Sequence, residues 1–265
     1  MKSKGKRALK LGFLLIIALA LSLRAQIFFG ITPIRVELKA SPGSQITDIF
    51  QVRNNSSQPV RIKVYVENWQ MRTDGTPLFI GQQPTSYSCR EWIKVNPTDF
   101  RLRPGEIRTV RFTVYVPLEA EPAGYHAAVS FENVTETEPE LKQSRVGFIG
   151  KIAAAVYVVV GKVEPQGSIV DIIFETSNNS QFIKLIINNQ GKTHFRLKGE
   201  IELRASDGKK INTFQIPDEP VLPESERFVL IQLKEKLSAG NYKAEVKLDI
   251  GREELLVMEK NIIVK

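Results

Sequence analysis

Residues 102–129, LRPGEIRTVRFTVYVPLEAEPAGYHAAV, and residues 221–246, VLPESERFVLIQLKEKLSAGNYKAEV, carry one pattern twice. Each opens on an apolar residue close to a proline, in Leu102-Arg103-Pro104 and Val221-Leu222-Pro223. Apolar side chains then recur every second position, at Val110, Phe112 and Val114 in one copy and at Val229, Ile231 and Leu233 in the other. Each copy turns through an Ala-Gly pair to a tyrosine, Tyr125 or Tyr242, and enters a second alternating run. Upstream, IFQVRNN at 49–55 is echoed by IKLIINN at 183–189. Period two places successive side chains on opposite faces of a strand, so these are half-buried strands. Recurrence of the same order implies two units of one kind in tandem. A tyrosine just past a tight glycine turn is placed to return its hydroxyl to the backbone at the corner of a β-sandwich.

Working outward, the same alternation marks strands at 34–38, 46–52, 60–66 and 146–160, and again at 169–174, 200–204 and 255–264. Turn clusters such as Asn54-Asn55-Ser56-Ser57, Thr73-Asp74-Gly75 and Ser206-Asp207-Gly208 separate strands, and no long stretch has helical period. Many short strands at this spacing describe an all-β chain of two tandem sandwiches, joined near 161–167. The polar, acidic stretch 132–145 reads as a long loop.

The 265 residues are 42% hydrophobic and 25% charged, which suits globular domains and excludes a multi-span membrane protein. A formal charge of +8 raises nucleic acid as a partner. Its location removes that reading. Lys2, Lys4, Lys6, Arg7, Lys10 and Arg24 fall within residues 1–26 with no acid among them, and the remainder is nearly balanced, 31 basic residues against 29 acidic. A chain that neutralises many phosphates needs a larger excess, so no nucleic acid is expected as partner. The basic start and the apolar run at 11–21, too short to span a bilayer, are expected to form a signal peptide cleaved near Ala25, leaving no stable membrane span. The single cysteine, Cys89, excludes an internal disulfide and is expected to be a half-buried, unreactive residue.

No GxSxG, HExxH, phosphate-binding loop or GxGxxG occurs. The only histidines, His126 and His194, have no acid or cysteine at ligand spacing and read as ordinary strand or loop residues. The expectation is a protein that is not an enzyme and has no metal and no cofactor. One strand is unusual. Residues 146–160, VGFIGKIAAAVYVVV, are apolar on both faces and about three times the usual strand length. Such a strand is either covered on both sides or is a pairing edge that awaits a partner.

Four pieces together resemble the periplasmic pilus-assembly chaperones, a family of two-domain immunoglobulin-like proteins. They are ITPIRV at 31–36, with an arginine before an aliphatic residue; the paired alternating runs at 48–55 and 60–69; Trp92–Pro97 with Phe100-Arg101-Leu102-Arg103-Pro104-Gly105 and the strand opening near Arg108; and the long apolar strand containing Lys151-Ile152. The resemblance covers residues 29–160 and is architectural beyond them. It implies two immunoglobulin-like β-sandwich domains, 27–162 and 163–265, behind a signal peptide at 1–26, in a periplasmic protein.

It also implies a function: binding and capping fimbrial or other surface-fibre subunits by donating an apolar strand. Backbone hydrogen bonds would supply affinity, and alternate side chains, here Val146, Phe148 and Ile152, would fill the subunit's pockets. The family holds the subunit's terminal carboxylate with two basic residues. Arg35 matches the first; alignment on Lys151-Ile152 puts Ala153 at the second, with Lys151 beside it as a substitute. Partners implied are secreted pilus or surface-fibre subunits and an outer-membrane usher, with self-association through 146–160 as a further expectation. A second resemblance, through the aliphatic run ending in Tyr157-Val158-Val159-Val160 and Pro122-Ala123-Gly124-Tyr125, is to bacterial surface proteins with tandem immunoglobulin-like domains. It leaves a structural or adhesive module binding envelope components as the alternative.

Overall fold

The computed structural model describes residues 28–134 and 149–264. The expected signal peptide and two of the expected strand-donating residues, Val146 and Phe148, lie outside the described residues. Ten strands form the first half: β1 (Phe29–Thr32), β2 (Arg35–Ala40), β3 (Gln45–Asn54), β4 (Val60–Met71), β5 (Pro77–Gly81), β6 (Ile93–Asn96), β7 (Asp99–Leu102), β8 (Ile107–Tyr115), β9 (Ala123–Val134) and β10 (Lys151–Val160). One sheet runs β1-β3-β8-β6. The facing sheet runs β2-β10-β9-β4-β5, with β7 on β4. The chain changes sheets at Pro33, between β1 and β2, where a residue without an N–H cannot continue a ladder.

The alternating runs put Phe50, Val52, Val110, Phe112 and Val114 of one sheet against Ile62, Val64, Val129, Phe131 and Val156 of the other. Phe50 stacks on Phe112 with ring centroids 4.7 Å apart and meets Phe131 edge-on at 5.5 Å. Burying an aromatic ring of this kind contributes about 2–3 kcal/mol. Cys89 lies fully inside this core rather than half-buried, and burial pushes its thiol well above the usual range, so it stays protonated.

The second half repeats the plan with β11 (Gly167–Ser177), β12 (Ser180–Asn189), β13 (Phe195–Arg196), β14 (Lys198–Ala205), β15 (Lys210–Gln215), β16 (Pro220–Val221), β17 (Ser225–Gln232), β18 (Gly240–Asp249) and β19 (Leu256–Val264). Sheets β11-β12-β17 and β15-β14-β18-β19 enclose Ile172, Ile183, Leu185, Ile201, Leu203 and Val246. The molecule is therefore all-β, two immunoglobulin-like sandwiches in tandem.

The duplicated sequence produces duplicated turns. Tyr125 donates its hydroxyl hydrogen to the Glu121 carbonyl at 3.0 Å and Tyr242 to the Ser238 carbonyl at 2.9 Å, each four residues upstream. Asn54 and Asn189 are buried at equivalent turns. Asn54 donates to the carbonyls of Gln58 and Leu102, and Asn189 to those of Thr193, Val221 and Leu222, so each ties the end of one strand to the Leu-x-Pro or Val-Leu-Pro turn.

The two sandwiches share a seam. The Gly124 N–H donates to the Lys192 carbonyl and the Phe228 N–H to the Thr73 carbonyl, both at 2.8 Å. Glycine is required at two of these approaches. A Cβ on Gly124 would lie 2.9 Å from the Thr193 Cα, and Gly75, at φ +85°, has the Arg227 guanidinium against it. Trp69, Ala128, Tyr157 and Leu222 form a small third apolar cluster there.

Candidate functional site

The register of the second sheet determines what faces the seam. Along β10 the even-numbered residues, from Ala154 to Val160, enter the core of the first sandwich, and Ile152 packs against that core. The odd-numbered residues point outward. Cross-strand pairing sets them in rows: Lys63, Glu132 and Lys151; Tyr65, Ser130 and Ala153; Glu67, Ala128, Ala155 and Arg35; then His126, Tyr157 and Glu37. Arg35 and Lys151 therefore share one face. They are not brought together, because Lys151 stands four residues along β10 from the residue opposite Arg35, about 13 Å at the strand rise.

Each expected anchor has partners of its own. The half-exposed Arg35 lies 3.3 Å from the Glu37 carboxylate and 3.6 Å from that of Asp218, across the seam. The Arg196 guanidinium, bonded to Asp218 at 2.6 Å, holds the Asp218 carboxyl below the usual range. Lys151 is engaged more tightly. It pairs with Glu67, which is only 5% exposed and also accepts from the Ser130 hydroxyl, and it sits 4.1 Å over the Phe79 ring. Beside them Tyr65 donates to Glu132 at 2.8 Å; burial and this bond hold its hydroxyl far above the usual range. Ala153 faces the seam at the position where the resemblance calls for a lysine.

The described part of β10 starts at Lys151, shorter than the expected 146–160. It is bonded to β9 along its whole length but to β2 only from Ala155 onward. The Ala155 N–H goes to the Ile34 carbonyl, while the Gly150 carbonyl accepts from Asn133 of β9. Odd-numbered residues thus turn their backbone groups toward β2 and even-numbered ones toward β9. Residues 151–154 have no ladder partner on the β2 side among the described residues. Ile34 and Ile149, both 69% exposed, flank this open edge.

The histidines, expected to be ordinary strand or loop residues, converge with Arg227 at the seam, which the sequence did not reveal. His126 is buried, with Nε2 3.1 Å from the Trp69 carbonyl and its ring edge-on to the indole. His194, from the other sandwich, stacks on Tyr157 at 4.2 Å. Burial pushes both imidazoles down to about 4, so each is neutral near pH 7. Arg227 reaches across to the Met71 sulfur and pairs with Glu219. The available signal was compositional: small or apolar residues at both parities of residues 123–131 mark a strand covered on both faces.

Neither a protein-family model nor a curated protein sequence matches the chain. Among solved structures it is similar to the class 5 fimbriae chaperone CfaA, with a TM-score of 0.49 and 19% identity over 88% of this chain and 98% of that one. It is also similar to the YadV chaperone, with a TM-score of 0.47 and 10% identity over 89% of this chain and 100% of that one. The chaperone DraB of E. coli gives 0.42 and 16% identity over 89% and 95%.

Proposed function

We propose that this protein is an exported, periplasmic chaperone that binds the subunits of a surface fibre by adding a strand to them, and is not an enzyme. The observation that carries this reading is the open edge of β10. The N–H and C=O groups of Lys151 and Ala153, without a ladder partner among the described residues, lie beside exposed Ile34 and Ile149 and form a template on which a partner's strand can pair. Val146 and Phe148 would continue the apolar set upstream, whereas Ile152 serves its own core. Arg35 stands where the open edge ends and β2 takes over, half-exposed and able to receive a carboxylate through charge-assisted hydrogen bonds. In this reading Lys151 is the clasp that seats the start of β10 through Glu67, not an anchor. Residues 27–162 form the donating domain and 163–265 its support, and an outer-membrane usher is the receiver of the loaded complex.

Co-expression with small secreted β-rich proteins, sought first among the products of neighbouring genes, followed by size-exclusion chromatography, tests the reading. A one-to-one complex is expected. Ala153→Pro removes an N–H only from the open edge and is expected to weaken the complex at least tenfold, as are Phe148→Asp and Arg35→Ala together. A complex that keeps full affinity in both variants overturns strand donation and favours an adhesive surface module.

A further inference from the structure

One carboxylate at the seam serves two arginines. Asp218, between β15 and β16 of the second sandwich, accepts on Oδ1 from Arg196 Nε at 2.6 Å, and Arg196 Nη2 also donates to its backbone carbonyl. Arg196 therefore fixes both the chain and the side chain of Asp218. The other oxygen, Oδ2, points across the seam and lies 3.6 Å from Arg35 Nη1 of the first sandwich. Glu37, on the same strand as Arg35, lies 3.3 Å from its Nε.

The two contacts of Asp218 differ in strength. A charge-assisted N–H···O bond spans about 2.7–2.9 Å, so Arg196 is bonded to Asp218 whereas Arg35 is only near it. The Arg35 and Asp218 side chains are 44% and 53% exposed, against 15% for Arg196. A carboxylate from outside can therefore reach the Arg35 guanidinium. A carboxylate that takes Nη1 and Nη2 together makes two parallel bonds where Asp218 makes one long contact. The displaced Asp218 is not left bare, because Arg196 keeps its hold on Oδ1, and the exchange strands no charge.

We infer that Asp218 is a placeholder carboxylate: it occupies Arg35 in the free protein, falls back on Arg196 when an incoming carboxylate arrives, and so sets how tightly Arg35 takes that carboxylate and favours one bound through both oxygens. The source of the incoming group rests on the reading of Arg35 as a carboxylate anchor; the arrangement of Arg35, Asp218 and Arg196 does not. Two probes isolate the chemistry, N-acetyl-leucine with a free carboxylate and its amide, each titrated at low salt into ¹³C,¹⁵N-labelled protein.

The acid is expected to bind weakly, at about 10 mM or above, as befits so small a ligand. It should move the Arg35 Nε–H signal and the Asp218 carboxyl carbon signal together, whereas the amide should move neither. Asp218→Asn keeps the size of the side chain and the backbone carbonyl that Arg196 bonds. Because an exposed ion pair competes only modestly, this variant should tighten the acid about two- to fivefold. Arg35→Ala should abolish the acid's effect. Equal affinity of the acid for the wild type and Asp218→Asn overturns the inference, as does an acid that binds neither protein, or one that moves the Arg35 signal and leaves Asp218 unmoved. None of these readouts involves the fibre subunit, so a failure here is distinct from a failure of strand donation.

Discussion

The two sandwiches share one set of turns and differ on one face. Strands β9 and β18 align at their corner tyrosines, and their inward residues correspond: Ala127 with Ala244, Val129 with Val246, Phe131 with Leu248. Their outward residues diverge. Where β9 has His126, Ala128 and Ser130, β18 has Lys243, Glu245 and Lys247, exposed or half-exposed, with Lys243 paired to Glu259 and Lys247 to Glu245. The core face is thus set by the fold they share, and the outer face by what lies against it. In the first sandwich that face meets the second one; in the second it meets water.

Four experiments test how far the two sandwiches differ. The largest effect is expected where the halves are alike. Asn54→Ala and Asn189→Ala each remove several buried hydrogen bonds and should each cost about 3 kcal/mol in urea unfolding. A large loss in one copy and none in the other would show that the turns are not equivalent.

The next effect belongs to the covered face alone. His126 and His194 are neutral in the fold and charge readily when unfolded, their imidazoles being pushed down from the ordinary 6.5 to about 4. Stability is complete above about pH 6.5 and falls as the pH drops toward 4, by about 2–3 kcal/mol for each residue. Unfolding midpoints measured between pH 7 and 4.5 should show this slope, and His126→Gln should remove about half of it. An unchanged slope would mean that His126 is not held neutral at the seam.

Glu67 and Glu245 form the third test. Both stand on outward positions, but Glu67 is buried with Lys151 and Ser130 while Glu245 pairs at the surface. Glu67→Ala should cost about 2 kcal/mol and Glu245→Ala less than about 0.5 kcal/mol. Equal values would sink the distinction between the faces. The smallest effect concerns the corners: Tyr125→Phe and Tyr242→Phe should each lose about 1 kcal/mol, one hydrogen bond apiece.

The strands with clean alternation were legible because their pattern is local. Short or flanking elements were not: β5, β6, β7 and β15 exist because longer neighbours offer them a ladder, and β4 runs on from 66 to Met71 because β5 pairs with its far end. At the candidate site, Arg35 could be singled out by resemblance and falls on the seam face. The engagement of Lys151 by Glu67 could not, since it joins residues 84 positions apart through three strands in register.

Two sandwiches of one plan follow from local pattern alone. Apolar alternation, the buried turn asparagines and the corner tyrosines act over a few residues, or between strands whose order recurs, and they need no knowledge of how the halves meet. Which outer face is covered, the convergence of both histidines and Arg227 on it, and the lack of a β2-side ladder partner for 151–154 among the described residues all come from how the chain packs. Those outcomes depend on how one sandwich is set against the other and on where β2 stops, and both are fixed by packing between distant residues.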